Sequence, residues 1–428
     1  MLKKIIGTFG TRIGCAFIGL LVLIFNARCF GASGTGSVSL FVLDVSILQI
    51  INSIIGGSSL VYMLQHYNRS QLLFLSYLFS IVVCVFGSLV IIFLHLVPSE
   101  FKWQLMAASL CYAVYFIHTQ VMLSEECIAR YNMLAVSQIL VLWVTLMAAH
   151  YFWGLNDISL YANAHTFSFF FVAVWSCFLM PEKKEKKAFI KMGALLKKMM
   201  SYGIAIQLAN LAQLLNYRLS YFIIKFSAGL QPLGLFDMGT KISESVWLLP
   251  KSVATVQYAR ITHAGKEKEY AVRVSIAFFK LSTIFSMVAV GCILCIPASW
   301  ISAVFGSEFG QIKPILYILA WGIVALSANM MLAHYFAGRG QFKVNTVSSI
   351  IGLLMTALCS IPLFFIPMPG MRLLQCVSFI TICSYTSSFI YTFYCFCKDS
   401  GAHGRDFLPV RQDFELLKTE IRKMFQHA

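Results

Sequence analysis

Six charged residues, Arg218, Lys225, Asp237, Lys241, Glu244 and Lys251, fall inside apolar runs of this 428-residue chain. An ionisable side chain in hydrocarbon costs several kcal/mol, so it turns toward a wet cavity or a partner. Gln207, Arg218 and Lys225 are spaced by 11 and 7 residues. At about 100° per residue that puts them within roughly 20° of one line on a helix. Asp237, Lys241, Glu244 and Lys251 follow at spacings of 4, 3 and 7, a stripe about 21 Å long. Lys241 is within pairing reach of both Asp237 and Glu244. Arg218, Lys225 and Lys251 have no partner near them in sequence. The expected surplus of positive charge suits an anionic group such as a phosphate or pyrophosphate, with Gln207 and Asn210 adding neutral polar atoms. For Lys225, Lys251 and Lys280, interhelical pairing or snorkelling is the alternative.

The first half of the chain carries Asp44, Gln49, Asn52 and Ser53, leading into Gly56 and Gly57. Small residues there serve helix packing as well as they serve a cavity. Asp44 is either a proton or sodium site or the partner of Arg28, and with Asp237 and Glu244 it is a candidate for ion coupling. His118 and His334 are read as satisfied interior histidines before proton relays. No GxxxxGK[ST], HExxH or GxSxG is present, so no nucleotide-driven, metalloprotease or nucleophile-elbow chemistry is expected. No cofactor is expected beyond a coupling H+ or Na+.

The elements that must position these residues are membrane helices. The chain is 59% hydrophobic and 12% charged, with a mean hydropathy of +0.78, far from soluble averages. About twelve apolar runs of spanning length lie between residues 10 and 397, the seventh near 201–228 and the eighth near 233–259. They are continuous rather than alternating, which favours helices over a β-barrel. With the N-terminus inside, 24 of the 33 Lys and Arg fall on the inner side and four, Arg28, Lys102, Lys313 and Arg372, on the outer. Positive charge is retained inside, so both termini are expected to be cytoplasmic. The net charge of +16 is then a topological signal, and no nucleic-acid partner is expected. The 13 cysteines, the Cys292/Cys295 pair included, read as buried inert thiols.

The Lys-rich stretch "PEKKEKKAFIKMGALLKK" separates two halves. The expected organisation is an N-terminal six-helix bundle (1–180), a cytoplasmic linker (181–200), a C-terminal six-helix bundle (201–397) and an amphipathic tail (398–428). The linker fixes topology, and Phe189, Ile190, Leu195, Leu196, Met199 and Met200 suit a helix in the headgroup layer above anionic lipid. "ARCFGASGTGSVSLF" after the first span and "IKFSAGLQPLGLFDMG" after the seventh are alike: a cation, a glycine-rich turn of eight or nine residues, then a charged helix. Parallel repeats of this kind occur in secondary transporters. The first of these stretches is neither a signal-peptide cleavage site nor a nucleotide loop, but a turn with Arg28 at a cavity mouth.

Over about 400 residues the chain resembles the polysaccharide-biosynthesis flippases (Wzx type) of the multidrug, oligosaccharidyl-lipid and polysaccharide (MOP) exporter superfamily. The residues that carry the likeness are "ARCFGASGTGSVSLF" with "GGSSLVYML", then "NYRLSYFIIKFSAGLQPLGLFDMGTKISESVWLLPKSVATV", then "FGSEFGQIKPILYILAWGIVALSANMMLAHYFAGRGQFKVN". The resemblance implies an all-α polytopic fold of two six-helix bundles in the bacterial inner membrane, without enzymatic activity. It implies a carrier for undecaprenyl-pyrophosphate-linked oligosaccharide, an O-antigen, capsule or exopolysaccharide repeat unit, working by ion-coupled alternating access alongside membrane lipids and the polymerase or ligase machinery. Arg218 and Arg28 match the family's arginines. Ser220 stands where an acidic residue often follows the first of these, and Phe236 replaces a usual tyrosine. The rivals are a multidrug exporter of the same superfamily, a lipid II flippase, and a membrane glycosyltransferase or ligase, for which the outside loops are too short.

Overall fold

The computed structural model describes residues 2–182, 189–264, 267–366 and 368–407, and among them the chain is helical with no strand. The helices are α1 (Leu2–Gly56), α2 (Ser58–Met63), α3 (Arg69–Phe93), α4 (Lys102–Ser124), α5 (Ile128–Trp153), α6 (Ser159–Leu179) and α7 (Met192–Ala228). They continue as α8 (Leu230–Glu244), α9 (Leu248–Ala264), α10 (Lys268–Cys295), α11 (Ala298–Phe305), α12 (Lys313–Gly338), α13 (Phe342–Ser360) and α14 (Gly370–Ser400). With no water in the bilayer core to satisfy backbone groups, each spanning segment must close its own hydrogen bonds, and continuous helix does so.

Nine helices among the described residues are long and apolar enough to cross a membrane, and the first of them is long enough for two passes. The seventh and eighth expected runs lie in α7 and in the α8–α9 segment, where charge lowers the hydropathy. The protein is a multi-pass membrane protein. The predicted tail helix from about 407 onward and Lys183, Lys184, Lys186 and Lys187 of the linker lie outside the described residues.

The glycine-rich turns prove tighter than the sequence suggests. Helix runs on both sides of Gly31, which alone breaks α1 with φ 65° and ψ −167°. Gly229, between α7 and α8, adopts φ 88° and ψ −168°. This region is essentially closed to residues with a Cβ, so two spans are joined at a single residue rather than by the eight- or nine-residue turn expected. The eighth expected span is also interrupted. α8 ends at Glu244, a 3-10 turn covers Ser245–Trp247, and α9 starts at Leu248. Pro250 sits in the first turn of α9, where a missing N–H is tolerated and where it could not have continued α8.

The chain divides into two compact units, 1–211 and 212–428, the division falling within α7. In the first, α4 lies along α6, and α1 packs on α3, α4 and α5. Phe41 meets Phe101 and His165 edge-on, with centroids 5.6 and 5.4 Å apart. Leu195 and Met199 are fully buried with Ile55, Leu60 and Val121, which corrects the expectation that they face headgroups; Phe189 is exposed.

In the second unit α12 is central, flanked by α14, α10, α9 and α8. Its Leu319, Ile323, Met331, Leu332 and Tyr335 are buried. At one end Asp399 accepts from Tyr335 Oη at 2.5 Å, pairs with Arg339, and lies 3.5 Å from Lys268 Nζ. Helices α13 and α14 approach along a hydroxyl seam. Ser348 Oγ donates to the Ser388 carbonyl at 3.0 Å, Ser388 Oγ donates back to that of Ser348 at 2.9 Å, and Ser384 Oγ donates to that of Gly352 at 2.8 Å. Small residues permit this closeness.

Candidate functional site: a guanidinium fork at a helix break

Arg218 of α7 donates from both terminal nitrogens to Glu244, the last residue of α8, each contact 2.6 Å long. Their side chains are 21% and 15% exposed. The planar guanidinium meets the carboxylate in the two-toothed geometry that offsets most of the desolvation of both charges. Tyr221, one helical turn after Arg218, lies beneath the guanidinium at 5.1 Å. Its hydroxyl donates to Asp237 Oδ1 at 2.8 Å, while Lys241 Nζ reaches Asp237 Oδ2 at 2.8 Å. Asp237 is fully buried. Two ion pairs are thus coupled through one tyrosine.

Glu244 therefore pairs with Arg218, across two helices. The i, i+4 partner of Lys241 is Asp237, as its spacing allows. The expected surplus of positive charge shrinks accordingly, because Arg218 and Lys241 each hold a carboxylate. Lys225 is half-buried with its ammonium 5.1 Å from the Phe226 ring, and Lys251 is exposed.

Beside the fork stand three rings that the sequence reading passed over. Trp247, from the 3-10 turn, lies 5.9 Å from Tyr217 and 6.4 Å from Tyr385 of α14, and the two tyrosines are 5.8 Å apart. Tyr217 accepts from Gln213 Nε2 at 3.2 Å. Asn216 Oδ1 lies 2.6 Å from Ser384 Oγ, bringing α7 against α14. The available signal was local: Tyr217 and Tyr221 flank Arg218 at helical spacing, and Trp247 follows Glu244 within a turn.

In the first unit Asp44 is fully buried, with Gln49 and Asn52 nearly so. Asn52 Nδ2 lies 3.2 Å from Cys84 Sγ on α3. The Gln49 amide has no hydrogen-bond partner among the described residues. Arg28 is exposed, three residues before the break in α1. Gln207 is buried and accepts from Asn210 Nδ2 at 2.9 Å.

His118 is a satisfied interior group. Ser176 donates to the Ala173 carbonyl, so at the 2.5 Å contact His118 Nδ1 must donate to Ser176 Oγ; Nε2 then accepts from Tyr77 Oη at 2.6 Å. Cys177, Cys292 and Cys295 are exposed on helix surfaces rather than buried as expected, and all 13 thiols are free. Among the described residues no group of three or more His, Cys, Asp or Glu could hold a metal ion.

No protein-family model and no curated protein matches the chain. Solved structures do. An inward-facing multidrug resistance MATE family transporter of the MOP superfamily matches with a TM-score of 0.69 at 13% identity, over 91% of this chain and 96% of that one. The lipid II flippase MurJ, in an inward closed conformation, matches with 0.69 at 12% identity, over 99% and 92%. A MOP superfamily transporter from Pyrococcus furiosus, described as having a binding pocket of reverse polarity, matches with 0.65 at 14% identity, over 94% and 96%. These proteins are transporters and a flippase, not enzymes. At such identity the likeness shows architecture, and the chain has the all-α fold of the MOP-superfamily transporters.

Proposed function

We propose that this chain is a Wzx-type flippase that carries undecaprenyl-pyrophosphate-linked oligosaccharide from the cytoplasmic to the periplasmic leaflet of a bacterial inner membrane. The observation that carries the reading is the Arg218–Glu244 fork. A guanidinium held by a carboxylate in two-toothed geometry presents the same two donors to a pyrophosphate, which can replace that carboxylate. Release of Glu244 leaves the fork open to the anion, which makes Glu244 a candidate for coupling an ion to substrate capture. Lys241, Lys225 and Lys251 add positive field along the path, and Asp44 is a second coupling candidate. In this reading both termini are cytoplasmic, which the Lys/Arg bias of the loops supports, and the translocated lipid passes to polymerase or ligase machinery.

The fold supports a lipid-linked substrate through its likeness to a lipid II flippase. The family motifs around Arg28 and Arg218 support the polysaccharide branch. The test is complementation: in a flippase-null strain, Arg218→Ala should insert at normal levels and fail to restore surface polysaccharide. Full restoration would remove Arg218 from the mechanism.

A second reading, export of cationic drugs, draws on the aromatic rings beside Glu244. It calls for uncompensated negative charge at that carboxylate, whereas the Arg218 guanidinium already balances it.

A further inference from the structure

The rings beside the fork carry two polar groups without work to do. Trp247 Nε1 and Tyr385 Oη are closed off from solvent and, among the described residues, neither has a hydrogen-bond partner. Tyr385 is 1% exposed. Buried donors left unmade are rare in folded proteins and call for an explanation. Two on adjacent rings, 6.4 Å apart between centroids, mark a place built for a partner.

Packing alone is a weak account of them, because Phe at 385 would fill the same volume without stranding a hydroxyl. A lipid tail needs rings but no donors. A cation can rest on the ring faces, but it offers no acceptor to the indole N–H or the phenol O–H. A pyranose needs both: an apolar C–H face to lie on an aromatic plane, and hydroxyls at its rim to meet N–H and O–H groups. Position agrees with chemistry. Tyr217 is the residue before Arg218, and Trp247 is three residues after Glu244, on the 3-10 turn that interrupts the span. Such interruptions inside long helices often mark functional hinges, and here the interruption carries the indole.

We infer that Tyr217, Trp247 and Tyr385 form a sugar-ring subsite contiguous with the Arg218–Glu244 fork, receiving the hexose bonded directly to pyrophosphate. The inference rests on the flippase reading and adds to it the half of the substrate that cations cannot recognise. In the present state the subsite is closed by its own rings, with Tyr385 almost wholly buried. Opening of the fork by an anion draws Glu244, and with it the turn carrying Trp247, away from Arg218.

The test uses purified full-length protein in detergent and two probes, farnesyl diphosphate and farnesyl-diphosphate-linked N-acetylglucosamine. Wild type should bind the sugar-bearing probe about tenfold more tightly, the worth of one or two hydrogen bonds. Trp247→Phe and Tyr385→Phe each keep a ring and remove a donor. Each should reduce the sugar increment to about twofold while leaving farnesyl diphosphate affinity unchanged, with unaltered gel-filtration profiles. Should either variant misfold, quenching of wild-type indole emission by the sugar-bearing probe, but not by farnesyl diphosphate, gives the same answer. Farnesyl diphosphate binding with no sugar increment in wild type, or an increment untouched in both variants, overturns the subsite and leaves the flippase reading standing. Binding of neither probe overturns both.

Discussion

Arg218 and Glu244, 26 residues apart on two helices, share two hydrogen bonds of 2.6 Å where α8 gives way to the 3-10 turn. One bond per guanidinium nitrogen engages both oxygens of the carboxylate and balances its charge. Any anion that binds Arg218 through the same edge must first displace Glu244.

That competition has a definite sign. Glu244→Gln removes the charge that holds Arg218 while keeping the side chain's shape, so it should bind farnesyl diphosphate about tenfold more tightly than wild type, the worth of a charge-assisted hydrogen bond. Calorimetric titration of both proteins at one pH checks it; equal affinities would sink the exchange mechanism.

Stability separates from transport at the same pair. Arg218→Gln leaves a carboxylate without its partner and should cost about 2 kcal/mol, below the roughly 3–5 kcal/mol for fully buried pairs because both side chains are partly exposed. Adding Glu244→Gln should restore most of the melting temperature without restoring surface polysaccharide. Recovery of transport in the double variant would mean that the pair is structural only.

Gly229 offers a clean measure of backbone strain. No atom lies within 4 Å of where a Cβ would stand, so Gly229→Ala meets no steric clash and reports the torsional penalty alone, about 1–3 kcal/mol. Thermal unfolding in detergent should show that loss, and an unshifted melting temperature would mean that the helices can rotate to relieve it.

Gly352 meets a different constraint. A Cβ there would lie 2.4 Å from Ser388 Oγ and 2.5 Å from Asn216 Oδ1, so Gly352→Ala should destabilise by about 1–3 kcal/mol through overpacking. Asn216→Ser in the same chain should recover part of that loss. Additive losses in the double variant would place the collision elsewhere.

Asp44→Asn removes a fully buried carboxylate of the first unit while keeping its shape. Gradient-driven transport in vesicles should stop while substrate binding persists; unchanged coupling would exclude Asp44 as an ion site.

Much of the architecture was legible because its physics is local. A run of twenty apolar residues must be helix in lipid, so the spans could be read from composition, and the two glycine-rich stretches pointed to the helix junctions. Pairing was legible only within a helix. Asp237 and Lys241 sit at i, i+4 and pair as their spacing suggests. Glu244 is as near in sequence to Lys241, yet its partner arrives from α7, and no spacing rule reaches across 26 residues. Tyr385 was invisible for the same reason, since α14 brings it to Tyr217 from far down the chain. The turn lengths were overestimated because glycine content shows where a backbone can bend, not how few residues the bend will use.

The matching breaks at Gly31 and Gly229 make each junction a pivot with only two torsions. A spanning helix is about 30 Å long, so rotating one such torsion by about 10° sweeps its far end through roughly 5 Å. Each unit thus owns a lever whose fulcrum is one residue wide. With no slack loop to absorb a movement, displacement at one end of the rod must reappear at the other.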